Sequence, residues 1–357
     1  MNSKILITGI HLTPSLALID KLTQNGFNLT YLSCPRLTEE KILIKKNIPF
    51  LTLKAPKLHR HNLISILKLP FLLPLATYKA LRLLKNTKPD LVISFGGYVA
   101  LPVCLAAYFL RIPIIIHEQT FGAGLVNRLT SPLATKVAIS WPESQSFFPQ
   151  NKTVLTGNPV RSEILKNKPG SRTDAIYITG GSQGSRAINQ AIKAVLPKLL
   201  KSHHIVHQFG LAQSGSDWQT QLILKKSLPQ NLSSKYTLKK WFEVKELNSI
   251  LSSASLVICR SGANTITELA MLGKPALLIP LPVSQKDEQL VNARYLKDLG
   301  LAIILPQKNL TSQTLLSSID QAINTLPLKT TKTIPSSLIK NASTNLYQLV
   351  YKVLSDT

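Results

Sequence analysis

The chain has 357 residues, of which 44% are apolar, and a net charge of +25. That length and apolar content suit two domains with sizeable cores and exclude a disordered chain. The charge attracts polyanions: nucleic acid, anionic lipid or phosphorylated small molecules. No uncharged apolar run reaches the ~18 residues of a membrane-spanning helix. Met1–Ile10 enters a strand directly, without a signal-peptide pattern. Cys34, Cys104 and Cys259 are far apart and fit no metal or disulfide spacing, which suits a reduced cytosol.

In chain order, Lys4–Thr8 reads as a buried strand, Gly9-Ile10-His11 as a turn and Pro14–Leu22 as an amphipathic helix ended by Gly26. Asn28–Leu32 is the next strand, which makes a βαβ opening. His11 sits at the mouth of the first turn, where parallel sheets place their ligands, as a general base or as a helix-capping residue. Lys54–Lys85 is basic and apolar, with no acidic residue. Pro70 and Pro74 predict that it is not one straight helix. It suits a segment lying in a membrane interface, or a pair of helices with a solvated basic face.

Leu91–Ser94 is a strand ending in the glycine turn Phe95-Gly96-Gly97-Tyr98 before a helix, Ala100–Leu110. Strand Ile114–Ile116 runs into His117-Glu118-Gln119-Thr120, either site residues or caps of the following loop. Further strands are Lys136–Ile139 and Thr153–Leu155, followed by Gly157-Asn158-Pro159-Val160-Arg161. Arg161 is a rigid fork suited to a diphosphate or a carboxylate. Lys166–Asp174 is polar and reads as the linker.

The strand–turn–helix theme restarts at Ala175–Thr179, loop Gly180–Ser185 and helix Arg186–Leu200. Ser182 reads as a phosphate contact or an N-cap, and no Gly-Lys-Ser/Thr follows, so this is not a P-loop. His203, His204 and His207 fall on alternating sides of a strand and make a poor metal set. The most informative stretch is Ser255–Gln289. Strand Ser255–Cys259 ends in the small-residue turn 260–264, and a helix opens with Glu268 one turn inside. Free N–H groups and the positive end of the helix dipole make an anion site there, or an ordinary tight turn. A Gly-Lys-Pro turn, strand Ala276–Ile279 and a polar loop with Asp287, Glu288 and Gln289 follow. Ala302–Leu305 is a last strand, and the tail Asn341–Val353 is helical. The fold class is α/β, with two doubly wound domains facing each other across an interdomain cleft. Their ranges are 1–165, with helix 341–357 packing back on it, and 166–340.

Seven motifs together resemble one family: FGGYVALP (Phe95–Pro102), IPIIIHEQT (Ile112–Thr120), GLVNR (Gly124–Arg128), TGNPVR (Thr156–Arg161), GGSQGSRAIN (Gly180–Asn189), RSGANTITELAMLGKPALLIPLP (Arg260–Pro282) and EQLVNA (Glu288–Ala293). The chain is similar to the inverting glycosyltransferases of family 28 that add N-acetylglucosamine to lipid I in peptidoglycan synthesis. The resemblance implies a GT-B fold of two Rossmann-like domains and UDP-N-acetylglucosamine as donor. It implies polyprenyl-linked lipid I as acceptor and a peripheral place on the cytoplasmic face of the bacterial plasma membrane, with Lys54–Lys85 on the anionic inner leaflet. No Asp-x-Asp motif appears, so no cofactor and no obligatory metal are expected, and with no aromatic interleaving or recognised module no nucleic-acid partner is expected.

Carried over by residue, Arg161 and Ser182 match donor-binding positions. Ala263, Asn264, Thr265, Ile266, Thr267 and Glu268 match the helix start that holds phosphates and ribose, with Glu268 on the ribose. Gln289 and Thr120 match donor-sugar contacts, and Val244 a backbone contact to uracil. Thr8, Gly9 and Ile10 match the acceptor-diphosphate loop, joined by Gly96, Gly97 and Tyr98, and His11 matches the family histidine taken as catalytic base. Two departures stand out. The family's GGTGGH loop is here Thr8-Gly9-Ile10-His11, shorter and poorer in glycine, and its HEQN is here His117-Glu118-Gln119-Thr120.

Overall fold

The computed structural model describes residues 3–10, 12–35, 37–56, 63–160, 173–213, 215–282, 287–326 and 341–356. Two compact units emerge, Met1–Arg161 with Ser337–Thr357, and Ser162–Ser336.

The first unit is built on a seven-stranded parallel sheet. Its strands are β1 (Lys4–Thr8), β2 (Asn28–Ser33), β3 (Phe50–Thr52), β4 (Leu91–Ser94), β5 (Ile114–Glu118), β6 (Lys136–Ile139) and β7 (Thr153–Leu155). They lie in the order β3-β2-β1-β4-β5-β6-β7, so the winding reverses between β1 and β4. Both faces of the sheet are covered, which is why the strands are apolar runs and do not alternate with polar residues. Ile5 and Ile7 point into one core layer, shared with helix α1 (Leu12–Gln24) and with the C-terminal helix Ala342–Ser355 through Leu346 and Val350. Leu6 points the other way, into a layer with Ala80 and Leu84 of helix α3 (Leu63–Thr87) and Val103 and Ala106 of helix α4 (Ala100–Phe109). A shorter helix, α2 (Leu37–Lys45), links β2 to β3.

Helix α3 corrects the sequence expectation: it runs unbroken through Pro70 and Pro74. The two prolines are four residues apart, so they share one face and their missing hydrogen bonds fall on the same side. Both lie in a part of the helix where residues 68–75 are exposed or half-buried, and burial begins only at Ala76, continuing with Thr77, Ala80 and Leu84. The carbonyls left without an N–H partner can therefore take water.

The second unit repeats the plan with six parallel strands, β8 (Ala175–Thr179), β9 (His204–Gln208), β10 (Tyr236–Lys239), β11 (Leu256–Cys259), β12 (Ala276–Leu278) and β13 (Ala302–Ile304). The order is β10-β9-β8-β11-β12-β13, the Rossmann order, with its switch point between β8 and β11. Ile176 and Ile178 meet helix Arg186–Ser202 and helix Ser312–Thr325 on one face. Tyr177 points to the other face and meets Phe242 edge-on, ring centroids 6.4 Å apart. In the Gly-Lys-Pro turn, buried Lys274 donates to the Ser252 and Ala254 carbonyls, at 2.5 and 3.1 Å. It thereby caps the C-terminal end of helix Val244–Ser253, where a cation is favoured. The edge strands β3 and β10 are too short and mixed to stand out by periodicity. The segment read as a polar loop around Asp287 opens a helix, Glu288–Asp298, because Asp287 takes the left-handed conformation (φ +53°) and turns the chain into it.

Candidate active site

Ligands of doubly wound sheets bind at the C-terminal strand ends beside the switch point. In the second unit this edge is formed by loop 180–185 after β8 and turn 260–262 after β11. Ser185 is the N-cap of helix Arg186–Ser202, accepting from Ile188 N, which corrects the assignment of that role to Ser182. Ser182 lies three residues earlier on the exposed crest of the loop, and its carbonyl accepts from Leu211 N at 3.0 Å. The loop needs its glycines. Gly184 (φ +78°) and Gly210 (φ +100°) pack backbone to backbone, leaving no room for a Cβ on either.

Helix Ala263–Leu272 starts at Gly262 with no side-chain cap, and its first intrahelical bond is Ile266 N to Gly262 O. The N–H groups of residues 263–265 precede that bond, at the positive end of the dipole. Ile266 and Thr267 are fully buried, Ile266 in the core and Thr267 with its hydroxyl on the Ala263 carbonyl, so their side chains serve the helix. Glu268, one turn in, is buried, and its charge adds to burial in pushing the Cys259 thiol up to about 12. Gln289, in the first turn of helix Glu288–Asp298, accepts from Leu281 N, and its carbonyl accepts from Ser261 Oγ at 2.6 Å. Val244 opens helix Val244–Ser253 behind a capping box of Glu243 and Glu246.

Arg260 is a residue the sequence reading passed over. Its guanidinium donates to the Ile279 and Pro280 carbonyls, to Ser185 Oγ (2.8 Å) and to Gln307 Oε1 (2.6 Å). A fixed cation thus ties loop 180–185 to the end of β12. Burial holds its pKa below the usual arginine range. Its position directly after a buried strand was the available signal.

The corresponding edge of the first unit is packed more tightly. Gly9, Gly96 and Gly97 all have positive φ, and the Ile10 side chain sits against Gly97 where a Cβ would have to go. Phe95 N donates to the Thr8 carbonyl and Ile10 N to the Gly96 carbonyl, so the two turns form one unit, with Tyr98 half-buried beside them. Thr8 Oγ1 is buried beneath, with no hydrogen-bond partner. His117 is fully buried: Nε2 donates to the Gly157 carbonyl and Nδ1 accepts from Gln119. Burial lowers its pKa to about 4, partly offset by the Gly157 bond, so it is neutral at pH 7. Glu118 accepts four hydrogen bonds, from Thr120 N, Thr120 Oγ1, Gly124 N and Asn127 Nδ2, all between 2.7 and 2.9 Å. Of the two readings of 117–120, capping of the next loop is what these bonds do. Thr120 Oγ1 lies inside that network, also 2.6 Å from the Gly122 carbonyl.

His11 and Arg161 lie outside the described residues. Among the described residues no group of His, Cys, Asp and Glu is arranged to hold a metal ion. His207 is buried between Tyr236 and Asn189, separate from the strand's other histidines.

Two nucleotide-type sheets, one with an anion-ready helix start, are the plan of GT-B proteins, and similarity to known proteins narrows this to the glycosyltransferases. Residues 8–139 match the glycosyltransferase family 28 N-terminal domain and 175–346 the family 28 C-terminal domain. The chain belongs to glycosyltransferase family 28. A UDP-N-acetylglucosamine–N-acetylmuramyl-(pentapeptide) pyrophosphoryl-undecaprenol N-acetylglucosamine transferase of Clostridium botulinum (strain Alaska E43 / Type E3) is 35% identical over 88% of each chain. The protein of that name from Clostridium novyi (strain NT) is 32% identical over 98% of each. The crystal structure of Acinetobacter baumannii MurG covers 98% of the chain, with 99% of its own length matched, at TM-score 0.69 and 29% identity. A UDP-GlcNAc 2-epimerase from Neisseria meningitidis shares the fold at 17% identity, TM-score 0.58, over 98% of the chain and all of its own.

Proposed function

We propose that the protein transfers N-acetylglucosamine from UDP-N-acetylglucosamine to the 4-hydroxyl of a lipid-linked N-acetylmuramyl-pentapeptide diphosphate, with inversion at the anomeric carbon. The observation that carries this is the helix start at 263–265, set at the switch point of β8 and β11 with Glu268 buried one turn inside. A departing UDP gains negative charge on its β-phosphate. A helix N-terminus stabilises that charge without reorganising. Glu268 accepts from ribose hydroxyls and Gln289 orients the sugar, while Ser182 on its loop meets a phosphate oxygen. Arg161 adds a fork to the diphosphate, and His11 takes the proton from the attacking hydroxyl. The first unit carries the acceptor on the turns of Gly9 and of Gly96-Gly97. The charge is met by the helix and arginine, so no obligatory metal enters the proposal.

The test is UDP release from UDP-N-acetylglucosamine in detergent, with and without a short-chain lipid acceptor. Release only with acceptor, with a β-1,4-linked product, is expected. Isomerisation of the nucleotide sugar without acceptor would replace this reading with the epimerase one.

The acceptor's lipid explains helix α3. Phe71, 80% exposed, shares its outer side with Leu72, Leu75 and Tyr78, next to exposed Lys68, Lys79, Arg82 and Lys85. The Arg82 guanidinium lies over the Tyr78 ring, 5.0 Å from its centroid. Part of the basic stretch, 57–62, lies outside the described residues, and no described helix is long and apolar enough to cross a membrane. We place this side on the anionic inner leaflet, where each cation adds about 1 kcal/mol. Binding to phosphatidylglycerol vesicles should fall roughly fivefold per Lys→Gln change among these residues. Binding indifferent to both charge and anionic lipid would refute the placement.

A further inference from the structure

Across the C-terminal edge of the second sheet runs a chain of hydrogen bonds that none of the motifs predicts. Gly181 N donates to Thr179 Oγ1 at 3.0 Å, and Gln208 Nε2 donates to the same oxygen at 3.2 Å. Gln208 Oε1 then accepts from Phe242 N at 3.3 Å. The one amide side chain of Gln208, 3% exposed, therefore holds loop 180–185 on one side and segment 241–243, just before Val244, on the other. The register makes this reach possible: Thr179 is the partner of Gln208 across β8 and β9, and Gln208 of Lys239 across β9 and β10. Backbone bonds between loops (Leu211 N to Ser182 O, Gly210 N to Lys240 O) run beside it. The Gln208 side chain adds to these a link through Thr179 Oγ1 on one side and Phe242 N on the other.

We infer that Gln208 is a positioning residue that fixes the spacing between the Ser182 loop and the Val244 helix start, and so sets the nucleobase selectivity of the donor site. The inference rests on the reading above, in which Ser182 meets a donor phosphate and Val244 the base. A nucleoside diphosphate has a fixed length between base and β-phosphate. Two loops held at one separation bind both ends together only when the base offers its edge at that distance. A pyrimidine does so at a different reach from a purine. With the amide removed, the strand register and the backbone bonds still keep the loops near each other, but the side-chain tie that sets their fine spacing is gone. A glutamine suits this role because it donates on one side and accepts on the other. Glutamate cannot donate to Thr179, and leucine can do neither.

The experiment compares the wild type with Gln208→Leu and Gln208→Glu. Titration with UDP, CDP and ADP gives three dissociation constants for each protein. We expect UDP affinity in Gln208→Leu to fall about tenfold, the effect of one lost hydrogen bond at its upper range, while ADP affinity changes less than twofold. Gln208→Glu should fall between them. An equal loss for all three nucleotides, or none for UDP, would overturn the inference, since a general weakening of the fold does not reorder nucleotides. Amide hydrogen exchange supplies the readout that needs no nucleotide. Gly181 N–H, which bonds Thr179 and not Gln208 itself, should lose protection in Gln208→Leu, and unchanged protection there would deny the coupling. A wild type that binds no nucleotide while Gly181 still responds would leave the tie standing and remove the donor reading instead.

Discussion

The two sheets share a winding order and differ in what they build at their C-terminal edges. In the second unit the edge is polar and open: an uncapped helix start, a fixed arginine and a buried glutamine that joins two loops. In the first it is closed on itself. Ile10 fills the space over Gly97, Glu118 spends its oxygens on four donors of its own loop, and His117 is buried and neutral. The same topology thus yields an edge ready for an anion and an edge held in one shape, because loops and not strand order decide the chemistry. Under the proposed function, the donor diphosphate meets the open edge and the acceptor meets the rigid one.

The largest expected effect probes the closed edge. Glu118→Ala strands several buried donors and should cost about 4 kcal/mol of stability, read as a drop in denaturant midpoint. Glu118→Gln should cost less, although its NH2 must face N–H donors. A near-neutral Glu118→Ala would mean that loop 119–127 is not organised by this carboxylate.

Acid comes next and touches both units. Burial holds His117 at about 4 and His207 at about 3, against an ordinary value of 6.5. Both folded values lie below the unfolded one, so the unfolded chain binds more protons at acid pH. Stability is complete above pH 6.5 and falls as the pH drops, until pH 4 for the first unit and pH 3 for the second. The loss from His117 alone is on the order of 3 kcal/mol. His117→Gln should flatten the slope between pH 6.5 and 4, and an unaltered slope would place the sensitivity elsewhere.

Gly97→Ala should cost about 2 kcal/mol, since it meets Ile10 at a φ of +86°. Ile10→Ala should recover the steric part but not the backbone part, so full recovery would remove the strain argument. At the open edge, Glu268→Ala should raise the donor KM about thirtyfold, with a smaller change in kcat. An unchanged KM takes Glu268 out of the donor site.

Apart from the edge strands β3 and β10, the strands, the glycine turns and the two-sheet α/β plan were legible in the sequence, because fully buried parallel strands read as short apolar runs punctuated by glycine. The helix start at 263–268 was legible too, since strand, turn and helix are contiguous there. Helix α3 was misread where local and tertiary effects compete: the prolines predicted a break, yet they fall in its exposed part, ahead of the buried residues from Ala76 on. The N-cap at Ser185 was one turn away from Ser182 and could not be told from it, because both are serines beside glycine and only the backbone decides which faces the helix. What the sequence could not contain is contact across strands. Thr179, Gln208 and Phe242 belong to successive strand–loop segments and meet only when β8, β9 and β10 are paired in register. Arg260 and Gln307 find each other for the same reason. Local pattern determined which segments are strands and where the glycine turns fall, because those choices rest on neighbours in the chain. The tertiary structure decided which polar side chains serve a ligand and which serve the fold, because burial and hydrogen-bond partners exist only after the sheets have formed.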